Sequence, residues 1–134
     1  MEDYRKMAEA NQRRGREIIA ETQLVESWEA IGAQANLIGS LSTGLMMKKL
    51  DIDMHVYTDT LSIKESFRAA ARIASHPGIV RMEYTNLIDT EEECIEWHAA
   101  YRDRDGRMWK MDMIHIRRGS AYCLLYTSPS PRDA

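Results

Sequence analysis

The chain has 134 residues, with 18 Lys+Arg against 21 Asp+Glu and 44% hydrophobic residues, enough for one domain with a modest core. A net charge of -3 argues against nucleic-acid binding through bulk positive charge, and no apolar run approaches the roughly 20 residues of a membrane helix. The N-terminus, Met1 to Arg16, is charged from its second residue and lacks the apolar core of a signal peptide, so the expected setting is cytoplasmic.

From Tyr4 to about Ile31 the pattern is mostly helical, with Leu24, Val25 and Trp28 on one face. Arg13, Arg14 and Arg16 read as a solvated helix face. Gly15 interrupts the helical pattern, which allows either two helices or one kinked helix. Gln34 to Ile38 reads as a short strand ending at Gly39-Ser40, and Leu41 to Lys49 as a turn of helix.

Leu50 to Thr58 alternates, with Leu50, Ile52, Met54 and Val56 on one face and Asp51, Asp53, His55 and Tyr57 on the other. Period two over this length predicts a half-buried strand. Ser62 and Glu65 form a capping box that opens a helix with Phe67, Ala70, Ala71 and Ala74 inward, and His76-Pro77-Gly78 stops it. Ile79 to Ile88, Cys94 to Tyr101 and Arg107 to Ile116 read as three strands. A tight turn over Arg102 to Gly106 joins the last two. The predicted class is α+β (mixed α/β), a small mixed sheet with helices packed mainly on one face.

The segment from Cys123 to Ala134 follows neither period and holds two of the three prolines. It resembles translated sequencing-adapter sequence, matching it over all twelve residues. The expectation is therefore a natural part, residues 1–122, cut short at its C-terminus, and a non-native, disordered tail, residues 123–134. Arg132 and Asp133 cancel, so the natural part keeps a charge of -3. Its one cysteine, Cys94, excludes a disulfide framework and fits a reducing compartment.

Three features carry chemistry. Asp51 and Asp53 are two residues apart on a strand, so both carboxylates point to one side, near enough to share a divalent cation. Like charges this close repel unless a cation or water compensates them; the plain alternative is an acidic, solvent-facing strand. Gly39-Ser40 lies between a strand end and a helix start, where backbone amides and a hydroxyl can meet a phosphate, although such a pair also marks ordinary turns. Asp112 is an acid inside the apolar run Trp109 to Ile116, costly unless paired or metal-bound.

Taken in order, these read Leu37-Ile38-Gly39-Ser40, ten residues, Asp51-Ile52-Asp53-Met54, and later Met111-Asp112-Met113. The pattern resembles the nucleotidyltransferase superfamily of DNA polymerase beta, the antibiotic nucleotidyltransferases and the minimal MNT-type enzymes, over roughly residues 24 to 117. The resemblance implies a nucleotidyltransferase-like fold and Mg²⁺-dependent transfer of a nucleoside monophosphate from an NTP such as ATP to a hydroxyl of a small molecule or protein, releasing pyrophosphate. It implies that Asp51, Asp53 and Asp112 are catalytic and ligate two Mg²⁺ ions, with Mn²⁺ able to substitute. Gly39 and Ser40 would then hold the β- and γ-phosphates, and Lys110 would neutralise phosphate charge. The alternative is a catalytically inactive relative of the same fold that binds a nucleotide or a partner protein.

The other candidates have plainer readings. Lys48 and Lys49 read as a solvated turn, and His55 as a partly exposed strand residue near the acids. His98 and His115 sit in strands without zinc spacing, Cys94 reads as packing, and Trp28, Trp97 and Trp109 as core or sheet-face residues. A haloacid-dehalogenase reading of Asp51-Ile52-Asp53 fails on the poor strand before it and on His55 after it. An Asp-x-Asp glycosyltransferase would need a larger domain, and Walker and dinucleotide glycine motifs are absent.

Overall fold

Buried Ala8, Asn11, Gly15 and Ile18 recur at intervals of three and four, a single stripe down helix α1 (Glu2–Glu21) that buried Thr22 continues just past its end. In the computed structural model, which describes residues 2–39, 41 and 49–120, Gly15 does not interrupt this helix. A Cβ there would lie 3.3 Å from both the Leu41 and Trp109 side chains, so the missing side chain lets α1 settle onto the sheet. The break comes later, where Gln23 takes a left-handed backbone (φ 52) and α2 (Leu24–Glu29) begins. The arginines of α1 are not merely solvated: Arg14 pairs with Glu17 at 3.0 Å and Glu21 at 2.9 Å, and Arg16 donates to the Leu41 carbonyl.

Strand β1 (Gln34–Ile38) and strand β2 (Asp51–Thr58) follow, then α3 (Ile63–Ala74), β3 (Ile79–Leu87), β4 (Cys94–Arg102) and β5 (Met108–Arg117). The five strands form one sheet in the order β1-β2-β5-β4-β3; β2 and β5 are parallel and the other pairs antiparallel. The mixed α+β layering is therefore as the alternating patterns imply. The helical turn predicted over Leu41 to Lys49 lies almost wholly outside the described residues.

Ser62 caps α3, its hydroxyl accepting from the Glu65 amide at 3.2 Å. The helix is rotated from its expected phase. Ser66, Ala69, Ala70 and Ile73 face inward, while Phe67 is 44% exposed and Ala71 and Ala74 face solvent. Small residues at the inward positions bring α3 close to the sheet, and Phe67 instead lies across Trp97 and Tyr84 at the rim.

One face of the sheet carries the core: Ile52, Met54 and Val56 of β2, Trp109, Met111 and Met113 of β5, and Ile95, Trp97, Ala99 and Tyr101 of β4. Ile18, Leu24, Trp28, Ala69, Ala70 and Ile73 of the helices cover it. All three tryptophans are core, as their apolar setting suggests. Among the described residues the opposite face has a small apolar cluster at one end, Tyr57, Cys94 and Ile116; His55 packs edge-on against Tyr57, and both are buried rather than half exposed. The β4–β5 turn is tied by Asp103, whose carboxylate accepts from the Asp105 and Arg107 amides and from the Trp109 indole. Burial works against its charge, yet these bonds hold its carboxyl below the usual range. Among the described residues no helix is long and apolar enough to cross a membrane.

Candidate functional site

The face on which no helix packs among the described residues holds the acids, because residues of β2 with odd numbers and residues of β4 and β5 with even numbers point there. Registers line these residues up in rows across the sheet. Asp53 pairs with Asp112, Asp112 with His98, and His98 with Glu83; one row along, Asp51 pairs with Lys110, Lys110 with Ala100, and Ala100 with Arg81. The structure thus brings Asp51, Asp53, Asp112 and Lys110 together.

Gly39, at the end of β1, closes the site from the other side. Its backbone is left-handed (φ +80), and a Cβ placed there would lie 3.1 Å from Asp53 Oδ2. Glycine is required twice over, by conformation and by the carboxylate against its backbone. Ser40, expected beside it as a phosphate contact, and Lys48 lie outside the described residues.

Asp53 is the strained member of the group. Burial and then the charges of Asp112 and Asp51 push its carboxyl up to about 6, and it shares a hydrogen bond with Asp112; Lys110 pulls the other way. Adding a cation would relieve this. The donors are hard carboxylate oxygens with a phosphate-compatible glycine alongside, the chemistry Mg²⁺ prefers when it shares carboxylates with substrate phosphates. Asp51, Asp53 and Asp112 therefore fit a divalent cation.

His98 stands next to Asp112 with Nδ1 2.7 Å from Oδ1, and its Nε2 is 3.2 Å from Glu96 Oε1. Partial burial disfavours its charge, but the two carboxylates outweigh that and raise its pKa above the ordinary histidine value. The sequence pattern gave His98 no partner. The hairpin held the signal: four residues back from Arg102 and four forward from Met108 are His98 and Asp112.

Beyond Asp112 the open face dips into a cleft of about 260 Å³ lined by Arg81, Glu83, His98, Ala99, Ala100, Lys110 and Asp112. Arg81 and Glu83 form an ion pair on its outer wall. A larger cavity, about 350 Å³, lies at the start of α3 among Thr58, Asp59, Ser62, Glu65 and His115, and holds none of the three aspartates. Of these two, the smaller cleft is the one that adjoins the crowded acids.

Glu92, Cys94 and Glu96 also bring ligand atoms within 4.8 Å of one another. Burial, followed by the charges of Glu96 and Glu92, pushes the Cys94 thiol up to about 12, and the side chain packs with Tyr57 and Ile116, in keeping with its reading as packing. His55 and His115 are buried, and burial lowers the pKa of both.

Among solved structures the fold is similar to that of the Cid1 poly(U) polymerase with MgGTP bound, with a TM-score of 0.57 and 16% identity over 90% of this chain and 38% of that one. It is also similar to the non-canonical poly(A) polymerase complex GLD-2–GLD-3 (TM-score 0.57, 10% identity, 94% of this chain and 43% of that one). A cytoplasmic RNA terminal U-transferase gives a TM-score of 0.55 and 16% identity over 98% of this chain and 43% of that one. At these identities the likeness is one of fold, and the fold is nucleotidyltransferase-like. The chain spans about two fifths of the length of these neighbours, 38% to 43%. No protein-family model and no curated protein matches the chain.

Proposed function

We propose that this chain carries the catalytic sheet of a Mg²⁺-dependent nucleotidyltransferase, which moves a nucleoside monophosphate from an NTP to a hydroxyl and releases pyrophosphate. The carrying observation is the register that sets Asp53 against Asp112 and Asp51 against Lys110 on the uncovered face. Asp51, Asp53 and Asp112 would hold the divalent ions, and Gly39 with Ser40 would meet the β- and γ-phosphates through backbone amides and a hydroxyl. Bound there, Mg²⁺ supplies neutralisation of triphosphate charge and a lowered pKa for the acceptor hydroxyl.

The protein's own work is positioning and charge. Gly39 lets the triphosphate approach the backbone beside Asp53, and Lys110 adds a positive charge one row from the Asp53–Asp112 pair. Asp112 sits at the border of the cleft, placed to orient the acceptor hydroxyl and take its proton. The acceptor oxygen forms a bond to the α-phosphorus as the bond to pyrophosphate breaks, and the proton leaves through Asp112.

For the acceptor, the resemblance alone implies a hydroxyl of a small molecule or protein. The cleft beyond Asp112 adds an RNA 3′-hydroxyl. Lys110 and Arg81 flank the small side chain of Ala100 there, a floor suited to a phosphodiester, and the fold neighbours include RNA terminal U-transferases. The competing reading, an inactive binding member of this fold, requires no Mg²⁺ dependence.

Calorimetry of NTP binding with and without Mg²⁺, together with pyrophosphate release in the presence of RNA, tests the proposal. Wild type is expected to bind NTP only with the cation, and Asp51→Asn and Asp53→Asn to lose that binding. Unchanged binding and transfer in both variants would overturn the assignment.

A further inference from the structure

The hydrogen bond between His98 and Asp112 is built by the backbone. β4 and β5 are antiparallel, the two residues are register partners, and the turn that fixes the register is itself tied down by Asp103. The 2.7 Å separation is short, typical of a charge-assisted bond. The far side of the ring is also held, by Glu96 at 3.2 Å. The His98 side chain is 40% exposed, whereas Asp112 and Glu96 are 29% and 27% exposed, so the ring is not there to fill a core.

A carboxylate has a broad terminal torsion, and Asp112 stands beside a second carboxylate that repels it. With both carboxyls charged and no fixed donor, Asp112 would turn away from Asp53. We propose that His98 is a positioning residue: it holds Asp112 Oδ1 so that the carboxylate faces Asp53 and the cleft, with Glu96 steering the ring. This rests on the reading of Asp112 as a ligand and acceptor-orienting group. Outer partners of ligating carboxylates commonly matter about 10- to 100-fold in metal affinity or activity. An ordinary exposed ion pair would matter to neither.

The test uses five full-length chains: wild type, His98→Ala, His98→Asn, His98→Gln and Asp53→Asn. The amide nitrogen of asparagine falls near the place of Nδ1 and can still donate to Asp112; that of glutamine falls near Nε2 and reaches Glu96 instead. Mn²⁺ affinity is read from the electron paramagnetic resonance of free Mn²⁺ with a non-hydrolysable NTP analogue, and kcat and KM for NTP from pyrophosphate release. His98→Ala is expected to weaken Mn²⁺ binding roughly tenfold and to lower kcat by about as much, with KM for NTP within about twofold; His98→Asn is expected to restore most of the loss and His98→Gln little of it.

Mn²⁺ binding by His98→Ala equal to wild type would overturn the proposal, as would rescue by His98→Gln equal to rescue by His98→Asn. Asp53→Asn separates the two readings. If it binds Mn²⁺ as wild type does, the metal site itself is wrong. If it loses Mn²⁺ while His98→Ala keeps it, only the role of His98 is wrong.

Discussion

Asp53 and Asp112 are register partners on the parallel strands β2 and β5, and their carboxyls share a hydrogen bond. Two acids in this position oppose folding in the absence of a cation, since burial and mutual repulsion disfavour the charge on Asp53. Asp53→Asn removes that charge and keeps the shape. We expect it to stabilise the cation-free protein by about 1 kcal/mol near neutral pH, a value discounted for the partial exposure of the site. Urea unfolding in a chelating buffer checks this. A less stable variant would show that the acids are not in conflict. The gain is expected to coincide with lost cation binding, the usual exchange of function for stability at a crowded site.

Gly39→Ala is expected to act on both stability and binding. The left-handed backbone at φ +80 costs a residue with a Cβ about 1–2 kcal/mol, and the new methyl would press on Asp53 Oδ2 at 3.1 Å. We expect a loss of that size in chemical denaturation and weaker NTP binding, because Asp53 must turn aside. Wild-type stability in the variant would contradict the conformation assigned to Gly39.

The site was legible in the sequence where local rules decide it. Asp51 and Asp53 share a face because strands have period two, and Gly39 is a glycine for a reason that a strand end implies. Pairing between distant strands was not legible. Nothing local states that β5 lies beside β2 and parallel to it, so the meeting of Asp112 with Asp53, and of Lys110 with Asp51, needed the topology. The phase of α3 is not legible in its sequence because alanines give no hydrophobic contrast. Ala70 faces in and Ala71 faces out, and the deciding inward residue is a polar one, Ser66. Gly15 misled in the opposite sense: its lack of a side chain serves packing against Leu41 and Trp109, not a break in the helix.

Ser66 explains its own burial. Its Oγ accepts from the Trp97 indole nitrogen at 2.9 Å and lies 2.9 Å from His115 Nδ1. An indole nitrogen only donates, so the Ser66 hydroxyl proton is free to go to His115. Ser66→Ala would remove the partner of the Trp97 indole N–H and of His115 Nδ1 inside the core, leaving the ring only its bond to Thr58. We expect a loss of about 2–3 kcal/mol, measured by urea unfolding followed through tryptophan fluorescence. A loss below about 1 kcal/mol, the net worth of an ordinary hydrogen bond, would mean that water replaces the hydroxyl.

The same network sets a pH dependence. His115 Nε2 lies 2.8 Å from Thr58 Oγ, and Thr58 in turn donates to the Thr60 carbonyl at 3.0 Å. Thr58 Oγ therefore accepts from the ring, and Ser66 donates to it, which fixes a neutral imidazole with its proton on Nε2. Burial pushes the ring down from 6.5 to about 4, although Glu65 and Asp59 line the neighbouring cavity. The unfolded chain then binds a proton that the folded chain refuses, so stability falls as pH drops from about 6.5 to about 4 and is unaffected above that range. The full effect is about 3 kcal/mol. His98, with its raised pKa, and Asp53, held up to about 6, work in the opposite direction, so the contribution of His115 is read from a difference. Unfolding free energies of wild type and His115→Gln are compared across this range. The wild-type curve is expected to fall more steeply on acidification by about 3 kcal/mol, and parallel curves would show that the buried ring accepts a proton in the folded state.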